Sequence, residues 1–290
     1  MTEQQATVLY DEPASGIARI TLNRPHRGNA QDVQLTYELN DAFMRAAHDR
    51  NIAVIILRGN GKHFSAGHDL KDTTHDKVGR DFPITSTWGD IETESVAGWY
   101  GWERETYLDM CRRWRDIPKP TIAQVSGACI GGGLMLAWVC DLIVASDDAI
   151  FQDPVVNIGA NAVEFFAHAW EIGPRRAKEM LFTTDSWSAE DAKDWGMVNR
   201  VVSRDQIDAA TLALAEQIAS KPRFAIKMAK ESVNAAVDAQ GQRQAMDQAF
   251  ALHQLCHAQN RQMFGGLLDP SGLPESIRND ERVSTLVKGK

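Results

Sequence analysis

The chain carries two separated glycine-rich stretches, Phe64-Ser65-Ala66-Gly67-His68-Asp69-Leu70 and Gly127-Ala128-Cys129-Ile130-Gly131-Gly132-Gly133. Each stretch lies where a predicted strand should give way to a helix. Glycine lacks a side chain, so the backbone at such a junction can approach a bound group closely. Two backbone N–H groups that converge from different loops stabilise negative charge on a carbonyl oxygen, an arrangement called an oxyanion hole. Together the two stretches predict such a site.

Short apolar runs alternate with helical periods through the first two thirds of the chain. Residues 16–22, 53–57 and 121–125 are predicted strands, and the last two are typical of strands buried on both faces. Asp32 is a predicted N-cap for a helix that repeats apolar residues through Ala47. This alternation predicts an α/β protein built around a mostly parallel sheet.

The composition excludes some classes of function. The formal net charge is −8 over 290 residues. A protein that binds duplex nucleic acid needs a basic surface, so no nucleic-acid partner is expected. The four cysteines lack C-x-x-C spacing and are interpreted as reduced and structural. The first nine residues lack a signal-peptide pattern, and no apolar run approaches the roughly 20 residues of a membrane span. We therefore expect a cytoplasmic location and no membrane partner.

Residues 71–101 show no clear period and are rich in Thr, Asp, Gly, Pro and Trp. Loops of this length in compact domains are usually functional or mobile. Trp88, Trp99, Tyr100 and Trp102 give this region too much aromatic surface for plain disorder. The segment is predicted either to fold over a bound ligand or to pack on a neighbouring subunit.

The character of the chain changes after Asn199. The sequence predicts almost unbroken helix over residues 206–220, 223–237 and 242–264. Such a unit buries its own apolar faces poorly, so it should pack on the main domain or on a partner. We divide the chain into a core, residues 1–200, and a C-terminal helical region, residues 201–290, assigned to oligomerisation.

The order of these segments resembles the crotonase family, also called the enoyl-CoA hydratase/isomerase superfamily. The resemblance begins at Ile20-Thr21-Leu22-Asn23-Arg24-Pro25, passes through both glycine stretches and extends to Trp195-Gly196-Met197-Val198-Asn199. It implies a crotonase (ClpP/crotonase-like) fold, a spiral of ββα units followed by helices that form a homotrimer or a dimer of trimers. Family members bind acyl-CoA thioesters and polarise the thioester carbonyl. The resemblance therefore implies an acyl-CoA substrate and neither a metal nor a cofactor beyond its coenzyme A.

The resemblance also implies roles for the glycine stretches. It places the backbone N–H groups of His68 and Gly132 in the oxyanion hole, with Ala66, Gly67 and Gly131 beside the bound substrate. A helix beginning near Gly132 would add the positive end of its dipole. The triple glycine lacks the spacing of a dinucleotide site and the Gly-Lys-Ser/Thr of a P-loop, which argues against nucleotide-phosphate binding.

The sequence departs from the family pattern at two positions. Typical hydratases carry two glutamates that activate one water molecule, and the aligned residues here are Met135 and Val155, which are assigned to substrate binding. Neither side chain transfers a proton, so hydration by the usual route needs a substitute. Glu164 is the first candidate, because burial among Phe165 and Phe166 would raise its pKa towards neutrality. The alternative is a surface glutamate at a helix N-terminus.

The His68 side chain is the second candidate acid/base. The Ser-Ala-Gly-His-Asp stretch is similar to the corresponding stretch of methylmalonyl-CoA decarboxylase. The alternative, given equal weight, is that His68 only suits the geometry of the loop and takes no part in the reaction. Asp69 is expected to cap the following turn. Glu103, Glu105 and Tyr107 precede Pro118-Lys119-Pro120 on a predicted helix and are expected to lie on its solvated face.

The resemblance assigns the coenzyme A end of the substrate to one region. Residues 25–28 and 63–66, with His63 among them, are expected to surround the adenine and pantetheine, and Asp69 is grouped with these substrate-binding residues. Arg24 and Arg27 are predicted phosphate contacts, because a guanidinium binds phosphate through two hydrogen bonds. An exposed, solubilising arginine is the alternative for each.

These expectations combine into one function. We expect an enoyl-CoA hydratase or isomerase in which the His68 and Gly132 N–H groups stabilise an enolate oxygen and Glu164 moves the proton. An acyl-CoA decarboxylase or a dehalogenase-like hydrolase would use the same enolate. A non-catalytic acyl-CoA-binding protein and an RNA-binding relative are alternatives of another class, and the acidic balance weighs against RNA.

Overall fold

The computed structural model describes residues 6–89, 91, 95–280 and 283. Two sheets of these residues carry the site. Their strands are β1 (Val8–Ala14), β2 (Ile17–Leu22), β3 (Val54–Gly59), β4 (Thr121–Val125), β5 (Ala128–Ile130), β6 (Leu142–Ser146), β7 (Ile150–Gln152), β8 (Trp187–Ser188) and β9 (Arg200–Val202).

The larger sheet has the order β1-β2-β3-β4-β6-β9. The pair β1/β2 is antiparallel, and every later pair in this sheet is parallel. All five residues of β4 are buried, as are the first four of β3, because helices cover both faces of the sheet. The predicted mostly parallel α/β architecture is confirmed.

The smaller sheet lies over the carboxyl end of β3 and β4. It contains β5, β7 and β8, with β5 parallel to β7 and β7 antiparallel to β8. An isolated bridge between Ser65 and Cys129 joins the first glycine stretch to β5. The segments that follow β3 and β4 therefore lie side by side, which brings the two glycine stretches together.

The helices surround both sheets. They are α1 (Val33–His48), α2 (Val96–Glu103), α3 (Met110–Arg115), α4 (Gly132–Trp138), α5 (His168–Glu171), α6 (Gly173–Thr183), α7 (Ala189–Asp194), α8 (Ile207–Ala219), α9 (Arg223–Ala239), α10 (Gln242–Phe264) and α11 (Glu275–Arg278). The predicted N-cap is confirmed, because the Asp32 carboxylate accepts a hydrogen bond from the Leu35 N–H at 2.8 Å. The three long C-terminal helices lie within two residues of their predicted bounds.

The prediction of irregular structure up to residue 101 was wrong at its end. Helix α2 already begins at Val96, where the Ser95 hydroxyl accepts from the Gly98 N–H at 2.8 Å. A π-helical stretch, Arg104–Asp109, joins α2 to α3. Glycine and tryptophan in α2 hide the helical period, and the serine cap was the usable signal. Residues 90 and 92–94 of the predicted loop lie outside the described residues.

The C-terminal helices pack on the main domain. Ile207 and Leu214 of α8 share a core with Ile56 and Ile122 of the larger sheet. Helix α10 buries Phe250 and turns polar residues of the same face towards Glu103 of α2 and the loop before α5. Among the helices that the structure describes, none combines the length and apolar character needed to cross a membrane.

Candidate active site

The two glycine stretches are in direct contact. The Ser65 N–H donates to the Ala128 carbonyl at 3.1 Å, and the Ile130 N–H donates to the Ser65 carbonyl at 3.0 Å. A methyl group at Gly67 would approach the Gly132 nitrogen to 3.1 Å, so only glycine allows this approach without displacement. The predicted convergence of the two stretches is observed.

The backbone N–H groups of His68 and Gly132 both lack a protein acceptor among the described residues. Gln31 and His68 form an isolated parallel β-bridge, in which the Gln31 N–H donates to the Gly67 carbonyl and the Asp69 N–H donates to the Gln31 carbonyl. The His68 N–H therefore points away from Gln31. Gly132 opens α4, where the first N–H groups have no acceptor within the helix. Both donors are therefore available to a bound group.

The imidazole of His68 lies between Gly132 and Tyr107. A methyl group at Gly132 would come within 2.6 Å of His68 Cε1. On its other side the imidazole stacks on the Tyr107 ring, with 3.8 Å between ring centroids and 23° between planes. Tyr107 belongs to the π-helical stretch, a local distortion that is common at functional sites. These contacts hold the imidazole in one orientation.

His68 pairs with Glu164. Their Nε2 and Oε2 atoms are 3.1 Å apart, and Glu164 is only 3% exposed. The expectation that burial would leave the pKa of Glu164 raised was wrong. Burial does oppose the charged form, but the neighbouring His68 and His253 together outweigh it and lower the pKa of Glu164. The alternative of a surface glutamate was also wrong, because Glu164 is buried in the loop before α5.

A buried carboxylate fixes the loop that carries Glu164. Asp153 Oδ2 accepts from the Val163 N–H at 3.1 Å and lies 2.8 Å from His168 Nε2, while its Oδ1 accepts from the Val155 N–H at 3.2 Å. Asp153 and His168 are both fully buried. This buried pair therefore sets the position of Val163 next to Glu164.

Two histidines of α10 extend the cluster. His253 Nε2 lies 3.7 Å from Glu164 Oε1 and 3.7 Å from Glu103 Oε2. His257 Nε2 lies 3.1 Å from Glu103 Oε1. Sequence reasoning missed both histidines because it treated α10 as an oligomerisation helix. Their spacing of four residues, which puts them on one helix face, was the available signal.

The expectation that Glu103, Glu105 and Tyr107 face solvent was wrong. Their exposed fractions are 4%, 0% and 9%. Glu105 accepts hydrogen bonds from the Thr85 N–H and the Ser86 N–H, each at 2.8 Å, so it fixes the preceding loop. The π-helical stretch changes the helical phase after Glu103, which is how successive acidic residues can both point inward.

A cavity of about 80 Å³ adjoins the His68–Glu164 pair. Val155 lies on its wall, whereas Met135 is buried in the core at 1% exposure. The sequence analysis aligned both residues with the hydratase glutamates, and neither has an ionisable group. The apolar part of the wall comprises Leu70, Trp99, Trp102, Tyr107, Val155, Ile158, Ala160, Leu267 and Leu268.

Part of the predicted loop forms this wall. His75 and Trp99 line the cavity, and the His75 ring meets the Trp102 ring edge-on with 4.6 Å between centroids. Tyr100 contacts Phe250 of α10, with 4.9 Å between ring centroids. His75 and Trp99 of the segment therefore lie on the cavity wall of their own chain.

The residues assigned to coenzyme A lie together near the first glycine stretch. The Ala66 N–H donates to the Gly28 carbonyl at 2.9 Å, and Ala66 and Arg27 are exposed. The Arg24 guanidinium lies 2.9 Å from Asp69 and 3.0 Å from Asp32, so its charge is already compensated within the protein.

His63 and Asp69 have clear structural tasks in this region. His63 Nδ1 accepts from the Ala128 N–H at 3.0 Å and so joins the two glycine stretches. Burial, together with the charge of Lys62, lowers the pKa of His63 and keeps this nitrogen an acceptor. Asp69 caps the following turn as predicted, because its carboxylate accepts from the Lys71 N–H at 3.1 Å.

Comparisons with known proteins agree with this architecture. The family model described as enoyl-CoA hydratase/isomerase matches residues 12–268. A curated protein of Mycobacterium tuberculosis named "Putative enoyl-CoA hydratase EchA13" is 43% identical over 261 residues, covering 87% of this chain and 80% of that protein.

Solved structures give the same result. The crystal structure of a "probable ENOYL-COA Hydratase" from Mycobacterium smegmatis is 47% identical, with a TM-score of 0.81, and the match covers 91% of this chain and 100% of that one. An enoyl-CoA hydratase/isomerase from Xanthobacter autotrophicus Py2 is 35% identical, with a TM-score of 0.75 and coverage of 86% and 87%.

The sheet, the two glycine turns and these similarities define an α/β protein with the crotonase fold, as the sequence predicted. The chain belongs to the enoyl-CoA hydratase/isomerase family of enzymes.

Proposed function

We propose that this enzyme binds an acyl-CoA thioester and transfers a proton at the carbon next to the thioester carbonyl, with Glu164 as the acid/base. The observation that carries this proposal is the contact of 3.1 Å between Glu164 and His68, beside two backbone N–H groups that lack protein acceptors. Removal of a proton from that carbon moves charge onto the thioester oxygen. The His68 and Gly132 N–H groups would donate to this oxygen.

The charge state of Glu164 suits a base. Because His68 lowers the pKa of Glu164, the carboxylate is ionised at neutral pH and can accept a proton. The stack of His68 on Tyr107 limits the movement of the imidazole, so the acceptor oxygen is held in place. This chemistry needs neither a metal ion nor a redox cofactor for the proton transfer.

Isomerisation of an enoyl-CoA is the reaction that these residues support best. In this reaction Glu164 takes a proton from carbon 2 of a 3-enoyl-CoA and returns it to carbon 4, so the double bond moves to position 2 and nothing is added. One carboxylate suffices for both transfers. Hydration would require a second group to hold the attacking water, and Met135 and Val155 supply none.

The test uses the absorbance of the conjugated thioester. Addition of enzyme to a 3-enoyl-CoA should increase this absorbance, because the product is a 2-enoyl-CoA. We expect Glu164→Gln to lower kcat by about 10² to 10⁴-fold, the usual contribution of a general acid/base. Glu179→Gln, a change at an exposed position of α6, is the matched control and should leave kcat unchanged.

A 2-enoyl-CoA substrate separates the remaining reactions. If the wild-type enzyme removes this absorbance and Glu164→Gln does not, the reaction is hydration rather than isomerisation, with Glu164 still the acid/base. Equal rates for Glu164→Gln and the wild type would remove Glu164 from the mechanism. Binding of both thioesters without any turnover would identify an acyl-CoA-binding protein and contradict the proposal.

The coenzyme A end of the substrate is assigned to the region around Arg27 and Ala66. The exposed Arg27 is free to contact a phosphate, whereas Arg24 is held by Asp69 and Asp32. Arg27→Ala should therefore weaken acyl-CoA binding more than it lowers kcat.

We include assembly into trimers in the proposal, supported by exposed apolar residues such as Phe224, Val233 and Leu255 on the C-terminal helices. Light scattering measures that mass directly.

A further inference from the structure

Three ligand-type side chains meet on the wall of the cavity beyond Glu164. Glu103 comes from α2, and His253 and His257 lie one turn apart on α10. All three are buried, and their nearest ligand atoms lie within 4.8 Å of one another. They line the same cavity as His68 and Glu164, yet the proposed proton transfer does not use them.

The hydrogen bonds of both histidines define which nitrogen carries the proton. His253 Nδ1 lies 2.8 Å from the Ala162 carbonyl oxygen, and His257 Nδ1 lies 2.9 Å from the Leu267 carbonyl oxygen. A carbonyl oxygen only accepts, so each Nδ1 must donate. In a neutral imidazole the Nε2 atom then carries a lone pair, and both Nε2 atoms point into the cluster.

These lone pairs face carboxylate oxygens. His257 Nε2 lies 3.1 Å from Glu103 Oε1. His253 Nε2 has no hydrogen-bond partner among the described residues, although it is buried and lies 3.7 Å from an oxygen of Glu103 and 3.7 Å from an oxygen of Glu164. Acceptors cannot satisfy one another, so a proton or a cation must lie between them. Either a side chain of the cluster is protonated or a cation occupies the centre.

The surroundings of Glu103 resemble those of a metal-binding carboxylate. The Trp99 indole N–H donates to Glu103 Oε1 at 2.9 Å, and the Gln254 side-chain amide donates to Glu103 Oε2. Residues that bind metal ions are typically oriented in this way, with histidines donating their second N–H to a carbonyl and carboxylates accepting further hydrogen bonds. All three side chains of the cluster satisfy this requirement.

We propose that Glu103, His253 and His257 bind one divalent transition-metal ion of the zinc type, with an open coordination position towards the cavity. Two imidazoles and one carboxylate form a common ligand set for such ions. Ligand atoms about 2.1 Å from a tetrahedral ion are about 3.4 Å apart. His257 Nε2 lies 3.1 Å from Glu103 Oε1 and His253 Nε2 lies 3.7 Å from Glu103 Oε2, and one ligand atom from each residue can be chosen within 4.8 Å of the others, so small side-chain movements would complete the site.

The charge of the cluster also fits a divalent ion. Glu103 brings a negative charge into the buried site, and a divalent cation held between it and two neutral imidazoles would compensate that charge. The open position would take an oxygen ligand, either water or a hydroxyl or carboxylate on the acyl part of a substrate. This site is separate from the oxyanion hole and goes beyond the proposed isomerisation.

Calorimetric titration of chelator-treated, full-length protein with Zn²⁺ tests the proposal. We expect one ion per chain and at least a 100-fold loss of affinity in His257→Gln and in Glu103→Gln. His48→Gln, a histidine at the end of α1, is the matched control and should bind as the wild type does. Substitution with Co²⁺ should give the visible absorption bands of a four-coordinate ion in the wild-type protein, a readout that does not depend on the folding of any variant.

Two results would overturn the metal site. One is the absence of Zn²⁺ and Co²⁺ binding at 100-fold molar excess. The other is unchanged binding by a correctly folded His253→Gln/His257→Gln double variant. Either result, with nitrogen NMR signals showing both rings doubly protonated, would identify the cluster as an ion-pair network. Because binding is measured without an enoyl-CoA, failure here leaves the isomerase proposal standing, and loss of isomerase activity alone leaves the metal site standing.

Discussion

His68 and Glu164 are 96 positions apart in the sequence, yet His68 Nε2 lies 3.1 Å from Glu164 Oε2. The first residue follows β3 and the second follows β7, so the contact exists only because both sheets direct their chains to the same place. It joins the candidate base to a residue whose own N–H belongs to the predicted oxyanion hole.

Removing His68 should leave a charged carboxylate buried without its partner. We expect His68→Ala to lower the free energy of unfolding by about 3 kcal/mol, since breaking one side of a buried ion pair is costly. Adding Glu164→Gln should recover a large part of this loss. Urea unfolding of both single variants and the double variant measures the coupling, and strictly additive effects would show that the two side chains do not interact.

Gly132 should tolerate no side chain. In Gly132→Ala the new Cβ would lie 2.6 Å from His68 Cε1, so the imidazole must move. We expect a stability loss of about 1 to 3 kcal/mol from overpacking and an activity loss of about 100-fold from misplacement of the site. The double variant with His68→Ala removes the steric conflict, so its stability loss should be smaller than the sum of the two single losses, and its activity should not recover. Full activity of Gly132→Ala would contradict the assigned oxyanion hole.

Introducing glutamate at Met135 and at Val155 should lower the stability of the protein by different amounts. Met135 is 1% exposed and lies in the core, so Met135→Glu should lower stability by more than about 3 kcal/mol, the order expected for an unpaired buried charge. Val155 is partly exposed on the cavity wall, and Val155→Glu should cost about 1 kcal/mol. The glutamine variants at both positions are the neutral controls. Thermal unfolding compares the four proteins, and equal losses would argue against the different burial of the two sites.

The attachment of α9 to α3 should depend on pH. Asp238 Oδ1 lies 3.0 Å from Arg115, and Asp238 Oδ2 accepts from Arg243 at 2.7 Å. Burial raises the pKa of Asp238, but Arg243 and Arg115 outweigh burial and lower it. The stabilisation is therefore complete above the unfolded-state pKa of about 3.9 and is lost as the pH falls through the lower folded-state value.

Asp238→Asn tests this dependence. We expect it to lower the free energy of unfolding by no more than about 1 kcal/mol at pH 7, and the difference from the wild type should shrink below about pH 4. Asp185→Asn, at an exposed position, is the control. Urea unfolding between pH 7 and pH 3 measures both. A difference that stays constant down to pH 3 would mean that Asp238 keeps an ordinary pKa.

Local patterns predicted much of the fold. The apolar runs of β3 and β4, the Asp32 cap and the long C-terminal helices carry signals within a few residues, and the structure agrees with them. Helix α2 was missed because its glycines and tryptophans have no regular period. The Ser95 N-cap was a usable signal for the start of this helix, but it involves only a few residues.

The sequence by itself determined the family, the crotonase fold and the place of the two glycine turns. These features depend on local residue type, because only glycine lets the backbone adopt such turns and approach a bound group closely. Only the tertiary structure decided that Glu103 faces inward and that α10 delivers His253 and His257 to the wall of the cavity. It also decided that Glu164 is ionised, since His68 and His253 together lower its pKa by more than burial raises it. Such outcomes depend on distances between residues far apart in the chain, which no local pattern contains.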